Sequence, residues 1–274
     1  MKFLKNLFKL VLLLTILITI GGWLYSISLE PNYSGELELK KISDKVTVYF
    51  DDSGVPHINA QNQKDAYIAL GYIHAQDRLW QMELIRRIAS GRLSEIFGKD
   101  LLKTDVFFTG LGIEEAAEKT IASLDKTSKA YALTEAYLLG INQYVNEGKT
   151  PLEFTLLGIN KENYTIKDIY NVIGYMSFSF AVAHKTDPLL TEIKEKLGDK
   201  YYYELINSLD DNLTINKTEI SPIKASLSNS VTKLMDKLPV STFIGSNSWV
   251  IGADKTKKGK VIFANDPHIG FSQP

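Results

Sequence analysis

Gly245-Ser246-Asn247-Ser248 leads directly into the apolar run Trp249-Val250-Ile251. A glycine followed by a small hydroxyl residue at the mouth of a strand suits a serine that is to become a chain terminus and then a nucleophile. Breaking the Gly245–Ser246 bond would free an α-amine. Such amines titrate near ~7.7–8.0, so a useful fraction is neutral close to physiological pH. A neutral amine can take the proton of its own hydroxyl, directly or through one water. The same hydroxyl can first attack the Gly245 carbonyl, because glycine adds no bulk and tolerates a strained approach. Without that scission, Ser246 is an ordinary serine at the start of a strand.

Counting back from the turn at 254–259 adds a second group. If Ala253 faces Lys260, Ser246 falls opposite Pro267. Asp266-Pro267-His268 then lies beside the serine, and a hydroxyl, a carboxylate and an imidazole share one neighbourhood. Pro267 is expected to stop the strand. Other chemistry-bearing patterns are weaker. Ser123-x-x-Lys126 and Ser221-x-x-Lys224 have the serine–lysine spacing but no K-T-G or S-D-N companion, and no G-x-S-x-G elbow occurs. His57 and His74 read as structural. With no cysteine, there is no thiol nucleophile, thiolate metal site or disulfide.

The elements that must hold these groups follow from periodicity. Lys2, Lys5 and Lys9 precede an apolar stretch that reaches Ile27, near the ~18 residues at which a membrane span begins. Residues 1–27 therefore read as a signal anchor, or a signal peptide, with the remainder outside the cytoplasm. Residues 28–45 read as a polar tether. Residues 46–50 and 56–60 form a hairpin. From 65 to 88 apolar residues recur at threes and fours, which specifies a helix with a charged opposite face. Its Glu83, Arg86 and Arg87 suit i, i+4 and cross-element ion pairs. Further helices are expected at 113–124, 128–146, 166–183, 189–197 and 200–208. Residues 209–245, rich in Asn, Ser, Thr and Lys, read as a linker. Strands are expected at 248–252 and 261–264. The fold class is α+β, mainly helical with two short hairpins.

Three runs resemble the penicillin acylase (penicillin amidase) family of N-terminal nucleophile hydrolases. They are Gly54-Val55-Pro56-His57-Ile58, the long stretch from Asp65 through Asp77-Arg78-Leu79-Trp80-Gln81-Met82-Glu83 to Ser94-Glu95, and Gly245–Gly252 with Asn265-Asp266-Pro267-His268. The resemblance implies a self-cleaving precursor with an αββα sandwich in the full protein. Residues 46–208 would be the small chain, 209–245 would contain a removed spacer, and 246–274 would begin the large chain of a heterodimer. Ser246 would be nucleophile and base, His268 a supporting group, and Gly245–Ser246 the cleaved bond. Phe178 and Phe180 would line the acyl pocket. Asp187 would supply one ligand to a structural calcium ion, and no organic cofactor is implied. The oxyanion-hole groups and other calcium ligands would lie beyond Pro274, leaving residues 1–274 alone inactive.

The implied reaction is hydrolysis of the amide bond of an acylated small molecule, of the β-lactam or acyl-homoserine-lactone kind. A rival reading is a non-catalytic, membrane-tethered helical binding module descended from this family. Nucleic acid is excluded as a generic partner: 31 basic residues balance 32 acidic ones, and no basic stripe occurs.

Overall fold

A computed structural model of the chain describes residues 2–181, 183–206, 231, 233–235, 238 and 245–268. The lysine-flanked apolar run folds as α1 (Lys2–Leu29). Its large apolar side chains stand exposed along most of its length, and Phe3–Leu29 is long and apolar enough to cross a bilayer. The segment that follows is pinned to the body, where the sequence pointed to a tether. Its backbone amides need partners once laid against helices. Asp65 accepts from the Ser43 and Asp44 amides at 3.0 Å. Gln143 accepts from the Lys40 amide at 2.8 Å and donates to the Glu38 carbonyl at 2.9 Å.

β1 (Thr47–Phe50) and β2 (Pro56–Asn59) form the first hairpin, antiparallel, with Val48 opposite Ile58. α2 (Gln63–Ser90) begins where the Asn62 side chain accepts from the Asp65 amide at 2.9 Å, satisfying an otherwise orphaned donor. Its backbone leaves helical values once, at Arg78 (φ −133°, ψ 18°), and it ends at Gly91, whose left-handed φ of 65° turns the chain. α3 (Ser94–Phe97) and α4 (Leu102–Gly110) follow, two short helices absent from the periodicity reading. Such short elements offer too few turns for a repeat to stand out.

α5 (Ile113–Ala122) leads to α6 (Lys129–Glu147), which Ser128 caps. α2 and α6 cross at glycines. A Cβ on Gly71 would fall on the Tyr137 carbonyl oxygen, and one on Gly140 on the Ile68 carbonyl oxygen. The backbones therefore approach closely, with the Tyr72 and Tyr144 rings edge to face at 5.4 Å. α7 (Leu152–Leu157) is one short helix, and α8 (Ile166–Phe180) opens with a capping box of Thr165 and Asp168. α9 (Ala183–Leu197) and α10 (Asp199–Ile206) follow.

The core gathers Leu79, Trp80, Leu84 and Ile88 of α2 with Phe108, Ile141, Phe154 and Tyr175. A buried ion cluster crosses it. Glu83 pairs with both Arg86 and Arg87, and Arg87 reaches on to Glu95 at 2.7 Å. The Arg86 guanidinium rests 4.2 Å over the Tyr164 ring. The i, i+4 pair expected from sequence is thus sealed inside the fold. Part of the linker also joins the core. Val231 and Met235 are buried in it, and Leu234 and Leu238 pack against it.

Candidate active site

β3 (Gly245–Ile251) and β4 (Ile262–His268) form the second hairpin. Its turn is closed by Thr256, whose hydroxyl donates to the Lys260 carbonyl at 2.8 Å and accepts from the Lys260 amide at 3.0 Å. The pairing is antiparallel. Gly245 faces His268, Ser246 faces Pro267 and Asn247 faces Asp266. This is the register counted from the turn. Both strands are longer than expected, and β4 runs through Pro267 instead of stopping at it. Proline lacks only the N–H, and a two-stranded sheet has no third strand to ask for it.

Ser246 is exposed on β3, and its nitrogen is a peptide amide in the continuous chain. The side chains of Asp266, Pro267 and His268 lie outside the described residues, so the hairpin sets the three groups together by backbone register alone. Gly252, which follows β3, is extended (φ −61°, ψ 153°).

The other expected site residues are elsewhere. Phe178 sits on α8 in an aromatic cluster, with Phe107 at 5.7 Å and Phe108 at 6.1 Å between ring centroids. Phe180, in the last turn of α8, is 37% exposed, two residues along the helix from Phe178 and so on a different face. Asp187 falls within α9, and its side chain lies outside the described residues. No three carboxylate or imidazole groups come together as a cation site among the described residues.

The remaining histidines take structural places. His57 holds Asp51 at 3.0 Å, and Asp51 also accepts from the Ser53 and Val55 amides to close the first hairpin. The His57 hydrogen bond and these amides hold the Asp51 carboxyl below its ordinary pKa. His74 on α2 meets the Tyr137 hydroxyl of α6.

One feature near the site escaped the sequence reading. Val231, Leu234, Met235 and Leu238 stand at i, i+3, i+4 and i+7, the spacing of one helical face. The polar composition around them hid four residues of sound helical periodicity.

A model of the penicillin amidase family matches residues 45–274. The chain belongs to the penicillin amidase family. Penicillin acylase 2 proenzyme of Pseudomonas sp. (strain SE83) is 28% identical over 264 residues, which is 89% of this chain and 33% of that protein. Acyl-homoserine lactone acylase QuiP of Pseudomonas aeruginosa is 29% identical over 268 residues, 92% of this chain and 31% of that protein. The chain thus spans about a third of the length of these relatives. The tetragonal form of the thermostable penicillin G acylase from Alcaligenes faecalis covers 65% of this chain and 98% of its own, at 25% identity and a TM-score of 0.45. Membership in the penicillin amidase family rests on the sequence match.

Proposed function

We propose that this penicillin amidase family chain is the leading part of a self-processing amidohydrolase that acts on acylated small molecules. The observation that carries this reading is Gly245–Ser246 at the start of β3, in register with Asp266-Pro267-His268, inside the stretch that the family model matches. In the first step the Ser246 hydroxyl oxygen attacks the Gly245 carbonyl carbon. The carbon–nitrogen bond breaks, the hydroxyl proton ends on the serine nitrogen, and an ester joins the two residues. Water hydrolyses that ester, leaving a Gly245 carboxylate and a free seryl amine.

In turnover the neutral amine takes the hydroxyl proton while the oxygen bonds to the amide carbon of the substrate. Collapse of the adduct passes that proton to the leaving nitrogen. Water, activated by the same amine, then releases the acid. His268 supports the amine, and Phe178 and Phe180 belong to the acyl pocket. The small and large chains stay together as a heterodimer, with α1 as the membrane anchor. Asp187 would be one oxygen ligand of a structural calcium ion. Relatives named for penicillin and for acyl-homoserine lactones support an acylated small molecule as the substrate class.

The deciding experiment uses the complete precursor. The wild type should yield a large chain whose N-terminal sequence reads Ser-Asn-Ser-Trp. Ser246→Ala should remain one uncut polypeptide. A processed alanine variant, or a large chain with a different first residue, would remove Ser246 from the mechanism.

A further inference from the structure

α7 has two faces. Phe154 is 1% exposed and held in the core, where its ring meets Trp80 edge to face at 5.7 Å. At 100° per residue, positions 152 and 156 point roughly 160–200° away from 154. They are Leu152 and Leu156, and Leu156 is 75% exposed. Pro151 starts this helix and Gly158, with a φ of 65°, ends it, so the orientation is fixed at both ends. A helix that faces water ordinarily carries polar residues opposite its buried face.

The position of α7 explains the leucines. The Tyr25 hydroxyl in α1 lies 3.4 Å from the Thr155 hydroxyl in α7. Lys149, just before α7, donates to the Glu30 carbonyl at 2.7 Å. A cavity of about 220 Å³ beside both elements has residues 76–81 of α2 as its main wall, with Leu29 on one side and Lys149, Pro151 and Glu153 on another. α7 is therefore beside the last turns of the apolar helix. If Lys9 marks the near headgroup layer, a hydrocarbon core of ~30 Å is filled by about 20 residues, from Leu10 to Leu29. Tyr25, and with it Thr155, then lies about one turn from the far boundary. Trp23 and Tyr25 are both exposed at that depth, where aromatic residues collect at membrane interfaces. Lys149 sits just outside it, with its ammonium at the headgroup level.

We propose that α7 is a second lipid-contacting element, which lays Leu152 and Leu156 on the outer face of the membrane that α1 crosses. The helical body then lies against the bilayer in one orientation. This rests on α1 being a retained anchor, a separate part of the proposed function.

The test separates the two. These 274 residues contain no cysteine, so introduced thiols report alone within them. Leu156→Cys, Leu152→Cys and, as a reference inside α1, Leu24→Cys would each carry an environment-sensitive nitrobenzoxadiazole label. The complete protein would be reconstituted in phosphatidylcholine vesicles with spin labels on the acyl chains. The expected result is blue-shifted emission at 156 and 152, quenched by the lipid spin labels about as strongly as at 24. Quenching at 24 with water-like, unquenched emission at 156 and 152 would overturn the proposal and leave the anchor standing. A mature protein whose N-terminal sequence lacks α1 would end the anchor reading and the proposal with it. Both leucines are already exposed, so the labels do not perturb the core.

Discussion

Ile68, Leu84 and Ile88 of α2 are sealed from solvent, whereas Trp249, Val250 and Phe263 of the β3–β4 hairpin are 51–66% exposed. The helical body holds itself together by burial, by a glycine-to-glycine helix crossing and by a charge cluster with its partners beside it. The hairpin has its turn and its cross-strand register, with its apolar side chains still facing water. A two-stranded hairpin is marginal alone, and apolar strands with free edges seek a partner. The contrast teaches that the two halves of the family's chemistry rest on different supports. The body packs on itself, while Ser246 sits on an element specified in sequence but not by packing within the described residues.

Ser246→Ala breaks the comparison most sharply. Self-cleavage should fall below detection in an electrophoretic assay, with the thermal midpoint of the precursor unchanged. Next comes Glu83→Ala, which strands two buried arginines. Removing one partner of such a pair costs ~3–5 kcal/mol. For a domain of this size that lowers the midpoint by about 6–20 °C in a circular dichroism melt. Gly140→Ala drives a methyl into the Ile68 carbonyl and should cost ~1–3 kcal/mol by the same measurement. If it were neutral, the close crossing of α2 and α6 would not be what holds the body. Trp249→Ala should move the body's midpoint by no more than ~0.5 kcal/mol equivalent, as an exposed site does.

A pH series sharpens the same point. Burial pushes the Asp65 carboxyl upward, but the Ser43 and Asp44 amides and the Asn62 side chain outweigh it and hold the pKa below its ordinary value. A depressed pKa stabilises the fold above the unfolded value of ~3.9, and the contribution is lost as pH falls through the folded value. The midpoint should therefore drop as the solution is acidified below about pH 4, and Asp65→Asn should flatten that drop. An unchanged acid profile in the variant would show that the segment at Ser43 and Asp44 is held by something other than this carboxylate.

Much of this was legible in residues. The 65–88 periodicity gave α2, and the helices expected over 128–146 and 166–183 match α6 and α8. Counting from the turn gave the Ser246–Pro267 pairing, because an antiparallel register follows from one fixed pair. Other features depend on tertiary contacts. Nothing local says that Asp65 grips Ser43 and Asp44, since those partners are more than twenty positions away. Gly71 and Gly140 read as weak points in helices until both are seen at one crossing. Pro267 reads as a stop from its missing N–H, and the edge position that tolerates it is set by the strand count. The side chains of Asp266 and His268, which would complete the site, are outside the described residues.

Leu238 packs against the core, and Gly245 opens β3 seven positions later. Seven residues, pulled straight, reach no more than ~25 Å. Covalent reach alone therefore keeps the bond ahead of Ser246 within that radius of the core position of Leu238.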